Sequence, residues 1–568
     1  VANDPDKAVF HERAAGLLSM LGDKEEAISQ YTKAIEVNRE RARLYHMRGQ
    51  LYARLAKERN DKDLWTKAND DYADALRKPG TTAIADLYAR RAETLEVLLT
   101  FASDKTDLRN ELVRVYSDAI RENRWADKSL GDLYEKRATV YRDLQRRGEA
   151  IEDYLKAAEI FVNVTPMKAI QTYQETLKLD AQSWKPYAGM AKAWTKAHQW
   201  SKALENCAEA LKRNPEHVWS IQWDKGHAHA ALGAWGDAIK EYSSAIDLEP
   251  NNIDLRRDRG LAYTRTKQWN QALADFDVVL NTKPGDWQTW SNRASVCSSL
   301  RQWGWAAADY SKALESATAP SKPFLYRNRG IAFAEADQWQ KAAADFAATL
   351  KQAHFDSSSW YLLALAQLAN NDEKGYRQTC ADMLRQFGNT TSFVDTNRAA
   401  WTCALAPART RPLDPAIHLD PAIDLAKRAI AQSPPDAHNH NTLGMLYYRV
   451  ERYEEAISEI EQSIKLRTQP PPKKGIPAAP PVSSANTPAS ANASVYDELV
   501  LAMAYHARRQ LEKAHEHYKI AVKLMDDRLS SPPGAPSYPT WQVRLEWRLF
   551  RSEVEELFAP GTGLGEGK

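Results

Sequence analysis

Apolar and polar residues along this chain seldom alternate in the two-residue rhythm of a strand. They recur in a larger frame, seen when 219–252 (WSIQWDKGHAHAALGAWGDAIKEYSSAIDLEPNN) is set above 253–286 (IDLRRDRGLAYTRTKQWNQALADFDVVLNTKPGD), a period of 34 residues. A small residue at repeat position 8 (Gly226, Gly260) precedes alanine at 20 (Ala238, Ala272), an aromatic at 24 (Tyr242, Phe276) and proline at 32 (Pro250, Pro284). Two antiparallel helices, A and B, account for each position. Small side chains at 8 and 20 let the helices cross closely, and the aromatic fills the gap toward the next repeat. Proline has no N–H to continue helix B.

The same frame threads most of the chain. It carries Ala15, Ala27 and Tyr31 in repeat 1; Gly49, Ala68 and Tyr72 in repeat 2; Ala92, Tyr116 and Ala119 in repeat 3; Ala138, Ala150 and Tyr154 in repeat 4. A lone helix B pattern at 166–180 precedes repeat 5 (Ala191, Ala203, Ala210), and repeats 6 and 7 are those quoted above. Repeat 8 carries Ala294, Ala306 and Tyr310, and repeat 9 carries Gly330, Ala342 and Phe346. Repeat 10 is degenerate over 357–390, and a proline-rich loop at 406–421 breaks repeat 11. Repeat 12 (Gly444, Ala456, Pro470) and repeat 13 (Ala502, Ala514, Tyr518, Ala521) are clear again. Longer turns are expected near 55–64 in repeat 2 and 100–108 in repeat 3.

Period and positions together resemble the tetratricopeptide-repeat (TPR) family. The resemblance implies an all-α fold, a right-handed superhelical solenoid of helix-turn-helix repeats. The expected segments are 1–162 (repeats 1–4), 163–356 (repeats 5–9), 357–468 (repeats 10–12), a flexible Pro/Ala/Ser-rich loop at 469–493, 494–558 (repeat 13 and a capping helix) and a disordered tail at 559–568. The cap is WQVRLEWRLFRSEVEELF, 541–558, placed to cover the last apolar face of the array. A second resemblance covers 375–467. GYRQTCADMLRQFG, TNRAAWTCALAP and NTLGMLYYRVERYEEAISEIEQS are similar to the TPR regions C-terminal to bacterial serine/threonine kinases. No kinase signature is present, so any such activity would belong to a segment before Val1; starting at Val rather than Met, the chain reads as a piece of a longer protein.

Composition narrows the function. Lys and Arg total 77 against 75 acids, which supports neither nucleic-acid nor membrane-surface binding. No apolar run approaches the roughly 20 residues that span a bilayer, and a cytoplasmic location is expected. Cys207, Cys297, Cys380 and Cys403 are far apart and form no CxxC pair, so they read as core residues. The pairs His227/His229, His438/His440 and His515/His517 sit two residues apart, on different sides of a helix, which is wrong for a shared metal. The tail GTGLGEGK lacks the spacing of a phosphate loop, and no nucleophile motif is present. No enzyme activity, cofactor or metal is expected. Tryptophan recurs at position 17 (Trp200, Trp235, Trp269, Trp303, Trp339), a register that suits packing at the turn.

One correlation stands out. Position 7 is basic in Arg48, Arg137, Lys225, Arg259, Arg293 and Arg329, and the same repeats carry acid at 23: Asp71, Asp153, Glu241, Asp275, Asp309 and Asp345. Where position 7 is apolar (Ala14, Met190, Leu363, Leu501), position 23 is Gln30, Asn206, Thr379 or His517; Arg91 with Val115 and Leu443 with Glu459 break the rule. The two positions mirror each other about a turn near 15, so a structural ion pair within each repeat is expected.

The resemblance further implies a concave groove lined by helix A at positions 2, 5, 9, 12 and 13. Those positions hold Lys185, Lys192, Lys196, Trp223, His227, Arg257 and Arg265 in repeats 5 to 7, and Phe324 and Arg327 in repeat 9. A basic stretch interleaved with aromatics suits an acidic or C-terminal peptide. The carboxylate clamp of chaperone-binding TPR domains is not matched: Asn292 and Asn328 sit at position 6 without the partner lysines. The function expected is a non-catalytic scaffold that binds a protein or peptide in the groove. The alternative is a regulatory or substrate-recruiting region of a bacterial kinase.

Overall fold

A computed structural model describes residues 5–79, 84–122, 126–213, 215–352, 357–406, 419–468 and 489–559. Among these there is no strand. They divide into two compact units, Val1–Gln268 and Trp269–Lys568.

In the first unit each repeat is a helix pair: α1 (Pro5–Leu21) with α2 (Lys24–Val37), α3 (Ala42–Arg59) with α4 (Lys62–Arg77), α5 (Ile84–Phe101) with α6 (Thr106–Arg121), and α7 (Asp127–Asp143) with α8 (Arg147–Val164). The lone helix α9 (Pro166–Leu179) follows, then α10 (Lys185–Lys196) with α11 (Trp200–Leu211), α12 (Val218–Ala231) with α13 (Trp235–Leu248), and α14 (Ile253–Arg265). The second unit begins at α15 (Trp269–Thr282) and continues through α16 (Trp287–Ser299) with α17 (Trp303–Ser316), α18 (Lys322–Glu335) with α19 (Trp339–Gln352), and α20 (Ser357–Ala369) with α21 (Glu373–Phe387). Next come α22 (Phe393–Ala404) with α23 (Asp420–Gln432), α24 (Ala437–Arg449) with α25 (Tyr453–Thr468), α26 (Ala489–Ala507) with α27 (Leu511–Leu529), and finally α28 (Trp541–Phe558).

The small residue at position 8 faces the aromatic at 24 of its own repeat. A Cβ on Gly226 would stand 2.4 Å from Tyr242 Cε1, and one on Gly330 2.8 Å from Phe346 Cε1. Tyr242 also packs against Ala262 of the next helix A, so one ring serves both the hairpin and the stack. The turn residue at position 15 is left-handed in repeat after repeat, with φ of 57° at His198, 60° at Lys267, 59° at Arg301 and 55° at Asp337. The N–H three residues beyond the helix reaches back to the carbonyl five residues earlier, as in Gln199 N–H to Trp194 O at 2.9 Å, which closes the helix end and makes the unfavourable φ tolerable. The position-17 tryptophans then open helix B; Trp235, for instance, packs against the cluster of Ala238, Tyr242 and Ala262.

Within each unit the expected ion pairs form. Arg48–Asp71, Arg293–Asp309 and Arg329–Asp345 each close to 2.7 Å, and Arg137–Asp153 and Lys225–Glu241 to 2.6 Å. Each of these four arginines is forked, its Nε on one carboxylate oxygen and its Nη2 on the other. Arg259 and Asp275 belong to different units. The remaining Nη1 reaches position 25 of the preceding helix B: Thr32 for Arg48 (3.0 Å), Ser117 for Arg137 (2.9 Å), Ser243 for Arg259 (3.1 Å), Asp277 for Arg293 (2.5 Å) and Ser311 for Arg329 (3.0 Å). The position-7 arginine therefore ties three helices. Arg91, deprived of an acid at Val115, turns to Glu111 (2.5 Å) and Asn69 (3.3 Å). Where position 7 is apolar, position 4 can take its place: His11 meets Gln30 at 2.8 Å, His440 meets Glu459 at 2.7 Å, and Glu498 meets His517 at 2.7 Å.

Several expectations are corrected. The long turns of repeats 2 and 3 are instead long A helices: α3 and α5 each run 18 residues, so the extra chain is absorbed as helix. The loop expected over 469–493 ends early, because α26 starts at Ala489; its residues 469–488, residues 407–418 of the loop expected at 406–421, and the tail from 560 lie outside the described residues. The cap does not merely close the end of the array. Helix α28 lies along the A-helix face of repeats 10 to 13. Glu546 accepts hydrogen bonds from Tyr361 of α20 (2.9 Å) and Trp401 of α22 (2.7 Å), and from Tyr496 of α26. Arg449 of α24 forks onto Glu553, and Trp541 stacks on Phe346 of α19 with centroids 6.3 Å apart.

Helix α28 straps α20 and α22 of repeats 10 and 11 through Tyr361 and Trp401. Amides of α20 and α22 should exchange with solvent no faster than those of α24, and faster exchange in α20 and α22 alone would contradict the strapping by α28. Removing the acid of a buried ion pair strands its cation. Asp345→Ala should cost about 3 kcal/mol, read as loss of exchange protection in α18 and α19, because Asp345 is 4% exposed. Glu241→Ala, whose pair is more open at 27% and 19% side-chain exposure, should cost only about 0–1 kcal/mol.

Candidate functional site

The predicted groove residues of the first unit lie on α10, α12 and α14, the A helices of repeats 5, 6 and 7. These helices meet side by side through polar contacts between position 9 of one repeat and position 6 of the next. Lys192 Nζ stands 4.0 Å from Asp224, and His227 Nε2 stands 2.8 Å from Asp258 Oδ2. Trp223 donates its indole N–H to the same Asp258 oxygen at 2.7 Å. Trp219 stacks on Trp223 with centroids 6.3 Å apart, and His227 sits 5.2 Å from Trp223 and 5.7 Å from Tyr242. Lys192, Trp223 and His227 are thus brought together on one surface.

Lys185, Lys192 and Lys196 are all exposed on α10. They recur at positions 2, 9 and 13, and 7- and 11-residue steps along a helix return to nearly the same side. Among the described residues neither Lys185 nor Lys196 has an ion-pair partner. The two arginines behave differently from the lysines. Arg257 is drawn to Asp254 one turn earlier, at 2.7 Å. Arg265, at the end of α14, lies over the ring of Trp235 at the start of α13, 5.7 Å from its centroid. Phe324 and Arg327 are on α18 in the second unit; Phe324 is 57% exposed, and Arg327 donates to Ser358 Oγ at 3.3 Å.

The basic stretch expected from the sequence is therefore tempered by three carboxylates, Asp224, Asp254 and Asp258. The acids at position 6, Asp224 and Asp258, point back at the preceding repeat, a direction that a single repeat does not reveal. Burial pushes the Asp224 carboxyl up to about 6, against the pull of Lys192 and His227. Among the described residues no helix is long and apolar enough to cross a membrane.

Fold and face together define a helical-repeat protein whose side-by-side A helices present a continuous polar and aromatic surface. The chain carries tetratricopeptide repeats. A TPR-repeat family profile matches 226–267, and a tetratricopeptide-repeat profile matches 12–41, 131–161 and 437–470. A curated relative, the Hsp70-Hsp90 organizing protein of Triticum aestivum, is 25% identical over 260 residues, 44% of this chain; the match spans 42% of that relative's length. Solved structures resemble parts of the chain. YrrB, a TPR protein with an unusual peptide-binding site, is 17% identical with a TM-score of 0.26, covering 36% of this chain and 93% of its own. A tetratricopeptide repeat protein from Parabacteroides merdae is 15% identical with a TM-score of 0.32, covering 50% and 93%.

The Asp224 shift has a stability consequence with a definite sign. A carboxyl whose folded pKa is raised binds its proton more tightly when folded, so its contribution is most favourable below about 4 and is lost as pH rises toward 6. Asp224→Asn should therefore stabilise the first unit at pH 7 by about 1–3 kcal/mol. The gain should shrink between pH 6 and pH 4 in denaturant titrations. A gain that does not change with pH would show that the carboxyl is not desolvated.

Proposed function

We propose that this chain is a non-catalytic protein-interaction scaffold and that the face of α10, α12 and α14 receives an acidic segment of a partner protein. TPR repeats are in general interaction modules, and the wheat relative bears the name of an organizer of two other proteins. The observation that carries the reading is the asymmetry of the face. Lys185 and Lys196 are exposed and without an ion-pair partner beside an ordered aromatic and carboxylate surface, Trp223, His227 and Asp258. A carboxylate-rich peptide lying along α10 would find cations there whose binding it does not have to share with an internal partner. The internal acids Asp224, Asp254 and Asp258 confine that acidic contact to α10 and leave the α12 side to apolar and aromatic groups of the ligand. Chaperone tails are not the proposed ligand, because the lysines that would complete a clamp with Asn292 or Asn328 are missing.

Titration of the full chain with a fluorescein-labelled oligoglutamate peptide tests this directly. Lys185→Glu with Lys196→Glu should weaken binding at least tenfold, about 1.4 kcal/mol. Lys240→Glu, a reversal of an exposed lysine on helix B at 78% side-chain exposure, should leave it unchanged. Equal loss from both reversals would reduce the effect to net charge and overturn the assignment.

A further inference from the structure

Cys380 and Cys403 are distant in sequence, yet the second unit buries them together. Cys380 lies within α21 and Cys403 next to the last residue of α22; they are 1% and 6% exposed. Cys380 Sγ stands 3.9 Å from the carbonyl oxygen of Thr402. That carbonyl belongs to the peptide unit leading into Cys403. The two thiols are in hydrogen-bond contact with one another. Tyr376, one turn before Cys380, donates its hydroxyl to the same Thr402 oxygen at 2.7 Å and accepts the N–H of Ala406 at 3.2 Å. Tyrosine and backbone thus pin the end of α22 to α21 and hold two sulfurs between the helices. The other cysteines are equally enclosed but not so placed. Cys207 on α11 and Cys297 on α16 belong to apolar clusters separate from the one that contains this pair.

The surroundings set how the pair can react. Contact with Cys380 and burial together push the Cys403 thiol well above the usual thiol range. The thiolate is the nucleophile, so the closed structure reacts slowly and reaction needs a brief local opening. Helix ends open at least cost, and Cys403 is at one. The same enclosure keeps a bulky third thiol away, so a sulfur that has been oxidised meets its neighbour first. Sulfurs already in contact across two helices need only a small approach to form an S–S bond of about 2.0 Å.

We propose that Cys380 and Cys403 are an oxidation site, at which a hydroperoxide converts the two thiols to a disulfide that locks repeat 10 to repeat 11. The thiol that first loses its proton attacks the peroxide; an S–O bond forms, the O–O bond breaks, and the departing oxygen takes up a proton as water or alcohol. The second sulfur attacks the resulting sulfenic acid; the S–S bond forms, the S–O bond breaks, and hydroxide leaves with the second thiol's proton as water. Two electrons pass from the thiol pair to the peroxide. A small dithiol reverses the change by exchange. Because α21 closes one repeat and α22 opens the next, the bond fixes the stacking between repeats. It does so beside Trp401, through which α22 holds Glu546 of α28. The site is independent of the lysines on α10, so either reading can fail alone.

The test treats the full chain with hydrogen peroxide near neutral pH. Catalase then removes the peroxide, the chain is unfolded in mild acid with N-ethylmaleimide to block remaining thiols, and its peptides are mapped by mass before and after dithiothreitol. The expected product is a dithiothreitol-sensitive link between the peptides of Cys380 and Cys403, with Cys207 and Cys297 recovered as maleimide adducts. Amide exchange in α21 and α22 should slow at least tenfold on oxidation, and exchange in α10 and α11 should not change. Cys403→Ser should give no such link, with helical circular dichroism reporting that it folds; if it does not fold, the wild-type map decides alone. The proposal is overturned if Cys380 and Cys403 are recovered as free thiols or as separate sulfinic acids, or if either is joined to Cys207 or Cys297. It is also overturned if the link forms while exchange in α21 and α22 stays the same, for the bond would then lock nothing.

Discussion

The arginine at repeat position 7 is the contact on which the array's geometry depends. It lies where helix A, its own helix B and the preceding helix B converge, and it answers all three with one planar head. Two N–H groups fork onto the aspartate at 23 and another reaches the side chain at position 25 of the previous repeat, as Arg329 does with Asp345 and Ser311. Burying such a pair is not by itself a large source of stability, because desolvation offsets much of the attraction. Its consequence is geometric: a forked guanidinium tolerates little sliding or rotation of one helix against another. The apolar contacts, such as Phe346 over Gly330, set how closely the helices approach. The polar triad sets their register.

Where the arginine is absent, the constraint is met by other atoms in nearly the same place. His11, His440 and Glu498 at position 4 take over the partner at 23, one turn back along helix A. In repeat 10 the buried Thr379 hydroxyl is received by Gln367 at 2.8 Å. A polar atom at position 23 is held between two helices, and leaving it without a partner there costs more than exchanging the partner's identity.

The two units put the A-helix side of the repeats to different uses. On α10, α12 and α14 the lateral contacts are small and polar, and the lysines of α10 extend outward. On α20, α22, α24 and α26 the same side carries Trp401, Tyr361, Tyr496 and Arg449, and α28 covers them. Charge and aromatic content at equivalent repeat positions decide this difference. A face rich in exposed lysine stays hydrated, because transferring ammonium groups from water is costly. A face of aromatics with one arginine gains by burial under an amphipathic helix whose acids match it.

Much of this was determined by the sequence alone, because it is periodic and local. Gly226 with Tyr242, and Arg293 with Asp309, are brought together by a single hairpin, so helical pitch and turn length suffice to pair them. The correlation between positions 7 and 23 could be read before any coordinate existed. The left-handed turn at position 15 was less legible: His198, Lys267, Arg301 and Asp337 adopt a conformation that glycine would have announced, and hydrogen bonding at the helix end carries the cost. The third bond of each arginine, and the acids Asp224 and Asp258 that temper the lysine face, depend on how one repeat stacks on the next, a rotation no single repeat encodes. The placement of α28 was decided by tertiary structure alone. Its amphipathic pattern shows that one side must be covered, but hydrophobic burial is non-directional and does not name the surface that covers it. Only the folded second unit, by gathering Tyr361, Trp401, Arg449 and Tyr496 from four separate helices, creates the receptor that Glu546 and Glu553 enter.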